Sequence, residues 1–227
     1  MPLPVSAFIF DIDGTIIDSM PYHNRSWPML LERHGMGDEH MEMVKNSAGR
    51  TGVELIREIF GAEMADERVR ALVDEKEHIY RTMFKPDFRE IAGFTAFARA
   101  SRAAGLKIAL GTAGDAGNIA FAIDGLGLHD FFDAAVGGPD VPRGKPAPDI
   151  FLEAARRLGV APEECIVFED APLGIEAARR AGMRAVALAT GEPAHRFEGQ
   201  AHVLRICGDY VGLRVHEVTG LQPTRAK

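Results

Sequence analysis

The chain has 227 residues, 46% of them hydrophobic and 26% charged, with a formal net charge of −7. That length holds a full core plus a smaller insert, and the balance is that of an ordinary soluble globular protein. The negative charge and the lack of any Lys/Arg block argue against a nucleic-acid partner, and no apolar stretch is long enough for a signal peptide or a membrane span, which fits a cytoplasmic protein with no membrane association.

Only two cysteines are present, Cys165 and Cys207, each inside a short apolar run. Both read as buried small hydrophobes, and a disulfide framework is not expected. No internal repeat or low-complexity tract occurs. A loose tail is expected from about Gln222.

In chain order, a short apolar run from Ala7 to Phe10 stops at Asp11, and Asp13 follows before a Gly14-Thr15 turn. A buried strand that ends in acids suits a parallel sheet, whose reactive groups gather at the carboxyl ends of the strands. Two carboxylates at i and i+2 on extended chain project to one side and repel each other unless a cation is near. A hard divalent ion such as Mg2+ fills that role, since it prefers oxygen ligands. In isolation the pair could equally be the cap of a turn.

Asp18 or Ser19 is placed to cap a helix that runs to about His34. Met20, His23, Trp27, Leu30 and His34 share one face of it. His23 and Trp27 either sit at the edge of an amphipathic face or look into a cavity. From Gly37 to about Met83 the pattern stays helical. Thr51 and Glu54 form a capping-box signature, and Asp66 opens a further helix with Val69, Leu72, Val73, Lys76 and Tyr80 as a stripe. Lys76 on that stripe either snorkels to water or meets an anion at a cavity wall. Arg50 lies in a Gly-containing loop, Ala48 to Gly52, that could be a plain surface turn.

Past Pro86, helices and strands alternate. Helices are expected over about 90–104, 118–126, 149–158 and 174–181. Strands are expected at 107–110, within 131–136, and at 165–168, 185–188 and 203–206, before a C-terminal helix. The alternation predicts an α/β fold: a Rossmann-like parallel sheet with helices on both faces, plus an inserted helical bundle. Residues 1–17 and 86–227 then form the α/β core, and residues 18–85 the insert. The carboxyl-end rim collects Asp11, Asp13, Thr112, Glu169 and Asp170, with Lys145 from the Arg143-to-Asp149 loop. Singly, Thr112 could be a turn hydroxyl and Lys145 a surface lysine. Together, in this order, they are poorly accounted for by chance, and four carboxylates on one rim need a divalent cation beside Lys145 to offset their charge.

These residues resemble the four motifs of the haloacid dehalogenase-like superfamily. Asp11-Ile12-Asp13-Gly14-Thr15 matches the first, Thr112 the second, Lys145 the third and Glu169-Asp170 the fourth. The helical insert looks like the family's small cap, and the whole is most similar to the β-phosphoglucomutase branch. The resemblance implies that Asp11 is a nucleophile forming an aspartyl phosphate and that Asp13 is the general acid and base. It implies that Thr112 and Lys145 hold phosphoryl oxygens. Mg2+ would be held by Asp11, the carbonyl of Asp13, and one or both of Glu169 and Asp170. His23, Arg50, Lys76 and Ala113 would meet the substrate. Two features depart from the pattern: Thr112 is followed by Ala113, as in the mutase, but the loop Lys45 to Thr51 lacks the mutase's Lys-Gly-x-Ser-Arg order. The expected function is therefore Mg2+-dependent hydrolysis of phosphate esters or pyrophosphate, on a small phosphorylated metabolite, by a monomer. A phosphomutase is the alternative, and a non-catalytic phosphate-binding protein a third reading.

Overall fold

A computed structural model describes residues 4–45 and 49–220. Part of the loop from Lys45 to Thr51, residues 46–48, and the tail expected from Gln222 lie outside the described residues.

Six strands form one sheet: β1 (Ala7–Phe10), β2 (Lys107–Gly111), β3 (Ala134–Val136), β4 (Cys165–Glu169), β5 (Arg184–Leu188) and β6 (Val203–Cys207). Their order is β3-β2-β1-β4-β5-β6, and every pairing is parallel. Between them run α1 (Met20–Arg33), α2 (Met41–Lys45), α3 (Gly52–Phe60), α4 (Asp66–Phe84), α5 (Phe94–Ala103), α6 (Ala116–Leu126), α7 (Asp149–Leu158), α8 (Pro172–Arg180) and α9 (Val215–Thr219). All four residues of β1 are buried. That is the uninterrupted apolar run of a central parallel strand, covered on both faces.

Side-chain alternation along the strands divides the core in two. Phe8, Phe10, Ile108, Leu110, Ile166 and Phe168 point to one face, where α5, α6 and α9 cover them. Ala7, Ile9, Ala109, Val167, Ala185 and Ala187 point to the other, under α7 and α8. Aromatic pairs reinforce the first face: the Phe10 and Phe168 rings stack with centroids 4.6 Å apart. A third cluster belongs to the helices between β1 and α5, where Trp27, Leu30, Leu55, Ile56, Val69, Leu72 and Ile79 pack on each other. The insert thus has its own small core.

Most expected elements fall within a residue or two of their places. One differs for a local reason. The helix expected from Glu90 begins at Phe94, because Ile17 pairs with Glu90 as an antiparallel bridge and the Glu90 carboxylate instead accepts from the N–H of Thr95 at 3.0 Å. The strand expected within Phe131 to Val136 occupies Ala134–Val136, preceded by a turn that Phe131 closes onto Leu128. Both cysteines are free thiols, but only Cys165 is buried; Cys207, on the edge strand, is partly exposed.

Chain direction reverses its walk across the sheet at β1: β2 and β3 lie on one side, β4 to β6 on the other. Ligands in such sheets bind in the crevice at the carboxyl ends of the strands at this switch point.

Candidate active site

Asp11 follows β1 directly, and its N–H donates to the carbonyl of Phe168 at 3.0 Å, so it continues the ladder to the rim. Beside it, β4 ends in Glu169, and Asp170 follows. Asp11, Glu169 and Asp170 bring carboxylate oxygens within 4.8 Å of one another, all three buried. Two glycines make room. Gly14 has φ +75°, and a Cβ there would come within 2.1 Å of Asp170 Oδ2; a Cβ on Gly174 would meet Glu169 at the same distance. The Gly14 turn therefore needs both a left-handed backbone and an absent side chain.

Lys145 reaches into this cluster from the loop before α7. Its Nζ donates to Asp11 Oδ1 at 2.6 Å and to Glu169 Oε2 at 2.7 Å, and the residue is 1% exposed. Burial disfavours its charge, but Asp11 and Glu169 outweigh that and raise its pKa. Breaking such a buried ion pair by removing one partner costs about 3–5 kcal/mol. One ammonium does not balance three carboxylates. Burial first, then the charge of Glu169, push the pKa of Asp11 well above the ordinary aspartate value, and the same causes act on Asp170. The trio cannot hold all its negative charge unless a further cation is present. A hard, divalent ion matches this donor set, which is oxygen only.

Thr112 ends β2 across the site. It is 2% exposed, and its Oγ1 accepts from the N–H of Gly114 at 3.1 Å.

Asp13 faces the insert. Its Oδ1 accepts from the Ser19 hydroxyl at 2.7 Å, meets His23 Nε2 at 2.9 Å and accepts from the Tyr80 hydroxyl at 3.3 Å. The imidazole lies flat on the Tyr80 ring, centroids 3.7 Å apart. On its other side, His23 Nδ1 is 2.6 Å from Lys76 Nζ. An ammonium can only donate, so Nδ1 accepts and the ring proton sits on Nε2, aimed at Asp13. Burial would raise the pKa of Asp13; the hydrogen bonds from His23 and Ser19 and the Lys76 charge act against that and lower it.

A cavity of about 180 Å³ joins these groups. Asp11, Asp13, Thr112, Ala113, Glu169 and Asp170 line its core side; His23, Trp27, Arg50, Lys76 and Glu77 line the insert side. All the residues singled out in the sequence converge here, with Lys145 held just beneath. Lys76 is 4% exposed and does not snorkel to water. Arg50 stands at the mouth, its guanidinium 2.5 Å from Glu58 Oε2.

Sequence reasoning missed some groups. Ser19 precedes α1, where it was expected to cap, but makes no capping bond and turns its hydroxyl to Asp13. Tyr80 lies one helical turn after Lys76 on the expected stripe, and that spacing was the available signal. Glu77 and Asn118 gave none: a glutamate beside a lysine, and an asparagine in a helix, are usually solvated.

Three comparisons bear on this site. Residues 5–182 match the model of the haloacid dehalogenase-like hydrolase family. The fructose-1-phosphate phosphatase YqaB of Escherichia coli is 35% identical over 181 residues, 80% of this chain and 95% of that protein. The β-phosphoglucomutase of Bacillus subtilis is 32% identical over 195 residues, 83% of this chain and 85% of that one. Among solved structures, a family IA hydrolase from Entamoeba histolytica superposes with a TM-score of 0.82 at 29% identity, covering 95% of this chain and 98% of its own.

The family-model match over residues 5–182, on a six-stranded parallel sheet with a buried acidic trio at its switch point, places the chain in a hydrolase class. The chain belongs to the haloacid dehalogenase-like hydrolases and stands among the phosphatases of that family.

Proposed function

We propose that the enzyme hydrolyses a phosphate monoester of a small polyhydroxylated metabolite through an aspartyl phosphate on Asp11. The observation that carries this is the buried Asp11–Lys145–Glu169 array at the end of β1, open to a cavity whose other wall comes from the insert.

An Oδ oxygen of Asp11 attacks phosphorus; the new O–P bond forms as the ester O–P bond breaks. Asp13 supplies the proton that the leaving oxygen needs. In the second half a water attacks the same phosphorus, Asp13 takes its proton, and inorganic phosphate leaves with Asp11 restored. As it stands, Asp13 is ionised by the donors on Oδ1, so carrying a proton requires it to give up His23 or Ser19. Lys145 and the Thr112 hydroxyl meet the other phosphoryl oxygens, where charge gathers in the transition state.

The metal we propose is Mg2+, held by Asp11, Glu169, Asp170 and the carbonyl of Asp13. When bound, it would neutralise the acidic trio and polarise the phosphoryl oxygens. Residues 18–85 are read as a cap over the α/β core formed by 1–17 and 86–227. His23, Arg50, Lys76 and Ala113 would contact the leaving group. A monomeric, cytoplasmic enzyme suits the composition, and among the described residues no helix is long and apolar enough to cross a membrane.

The charges on the far wall of the cavity are already paired: Arg50 with Glu58, Lys76 with Glu77, and Glu192 with Arg196. A second phosphate, in pyrophosphate or a sugar bisphosphate, would have to displace one of these carboxylates to find a cation. The loop from Lys45 to Thr51 also lacks the mutase's Lys-Gly-x-Ser-Arg order, so hydrolysis is favoured over the mutase reading that such a relative suggests. A panel of sugar and polyol monophosphates plus pyrophosphate, assayed for phosphate release with Mg2+, tests the proposal. Polyol monophosphates should be turned over best; equal or faster release from pyrophosphate would overturn the ester reading.

A further inference from the structure

Behind Lys76 the polar chain continues, and it leaves the insert. Glu77 is 7% exposed, and its two oxygens are divided. Oε1 accepts from Lys76 Nζ at 3.0 Å, and Oε2 accepts from Asn118 Nδ2 at 2.8 Å. Neighbouring positions on a helix do not normally face each other. Lys76 and Glu77 meet because both are drawn into the cavity.

Asn118 belongs to α6 on the α/β side and is 2% exposed. Its amide is gripped by two residues one turn apart on α4. It donates to Glu77, and its Oδ1 accepts from Arg81 at 2.7 Å. An acid on one side and a guanidinium on the other fix the amide in one orientation. Arg81 also approaches Asp115, the N-cap of α6, at 3.6 Å, and Asp115 in turn accepts from the N–H of Asn118 at 2.7 Å. The result is a clip between one insert helix and one core helix.

Lys76 Nζ has three donors. His23 and Glu77 take two of them, and the rings of Trp27 and Tyr80 lie at 5.3 and 5.6 Å. Glu77 is therefore both the counter-charge of this buried ammonium and the group that ties it to the core. Burial would raise the pKa of Glu77, but the Lys76 charge and the hydrogen bonds from Asn118 and Lys76 lower it.

We propose that Glu77 is a positioning residue: anchored through Asn118 to α6, it aims the Lys76 ammonium at His23 Nδ1 and thereby keeps the Nε2 proton on Asp13. It rests on the phosphatase reading for its catalytic consequence, but its geometric half does not. No ligand contact by Glu77 is needed.

The test uses Glu77→Gln, which keeps an acceptor for Asn118 and removes the charge facing Lys76. First, the ring ¹⁵N spectrum of His23 is compared in the wild type and the variant. A single tautomer with Nε2 protonated is expected in the wild type, and a mixture in Glu77→Gln. Identical spectra would overturn the proposal, whatever the substrate proves to be. Second, kcat and KM on a polyol monophosphate are measured for Glu77→Gln in the wild-type and His23→Ala backgrounds. A loss in kcat of about tenfold with KM within about twofold is expected in the first background, and no further loss in the second, because the two residues act in series. Equal losses in both backgrounds would show a merely structural role and overturn the proposal. If Glu77→Gln is too unstable to assay, Asn118→Ala replaces it with the same expectations. A wild type inactive on every ester would defeat the phosphatase reading alone, since the His23 spectrum still decides the positioning of its ring.

Discussion

His23 and Asp13 join the two parts of the molecule: Nε2 of the imidazole, on α1, lies 2.9 Å from Oδ1 of the carboxylate that follows β1. Both side chains are partly buried, 13% and 18% exposed, on the wall of the cavity. We expect His23→Ala to lower kcat by about 10²-fold, the usual scale for losing support of an acid–base group. Steady-state kinetics check it; a variant with unchanged kcat would detach His23 from the chemistry.

Asp11→Asn should remove turnover, by on the order of 10⁴-fold or more, since an amide oxygen is not a competent nucleophile at phosphorus. The fold should survive: the side chain keeps its volume, and a neutral group in this acidic trio relieves repulsion. Circular dichroism and phosphate release together test it. Retained activity would place the nucleophile elsewhere.

Asp170→Asn should weaken metal dependence without emptying the site of Lys145, whose partners are Asp11 and Glu169. The Mg2+ concentration for half activity should rise by at least about tenfold. An unchanged Mg2+ titration would remove Asp170 from the ligand set.

The same acids set a pH dependence. Asp11 and Asp170 have pKa values raised above the ordinary 3.8, by burial first and then by Glu169. A raised acid stabilises the fold in its protonated form. Its contribution is complete below the ordinary value and is lost as pH climbs through the folded one. Asp13 and Glu77, which are lowered, act the other way but in the window below their ordinary values. Metal-free enzyme should therefore melt at a lower temperature as pH rises from about 4 toward neutrality, and saturating Mg2+ should flatten that fall. Thermal melts in chelator and in Mg2+ check it. A metal-free melting temperature that rises over this range would contradict the charge assignment of the trio.

Strand ends were legible in the sequence because an apolar run that stops at an acid, or at Gly111-Thr112, leaves few other readings in a parallel sheet. Asp11, Asp13, Thr112, Lys145, Glu169 and Asp170 could thus be placed on one rim before any contact was known. Contacts between the insert and the rim were not legible. Ser19 has the side chain of a cap, and only the fold shows that Asp13 takes its hydroxyl. Glu77 and Asn118 are 41 positions apart and follow no periodicity that links α4 to α6. Arg50 was expected to meet the substrate, and the structure adds Glu58 as a competitor that the sequence, eight residues on, did not flag.

Hydrolysis, as against transfer back to a sugar, is the central claim. The direct measurement follows β-glucose 1-phosphate with Mg2+ and a trace of sugar bisphosphate, recording inorganic phosphate and glucose 6-phosphate in the same reaction. The account predicts phosphate released in step with substrate lost, no requirement for the bisphosphate, and little glucose 6-phosphate. Conversion to glucose 6-phosphate far faster than phosphate appears, and dependent on the bisphosphate, would contradict it and make the enzyme a mutase.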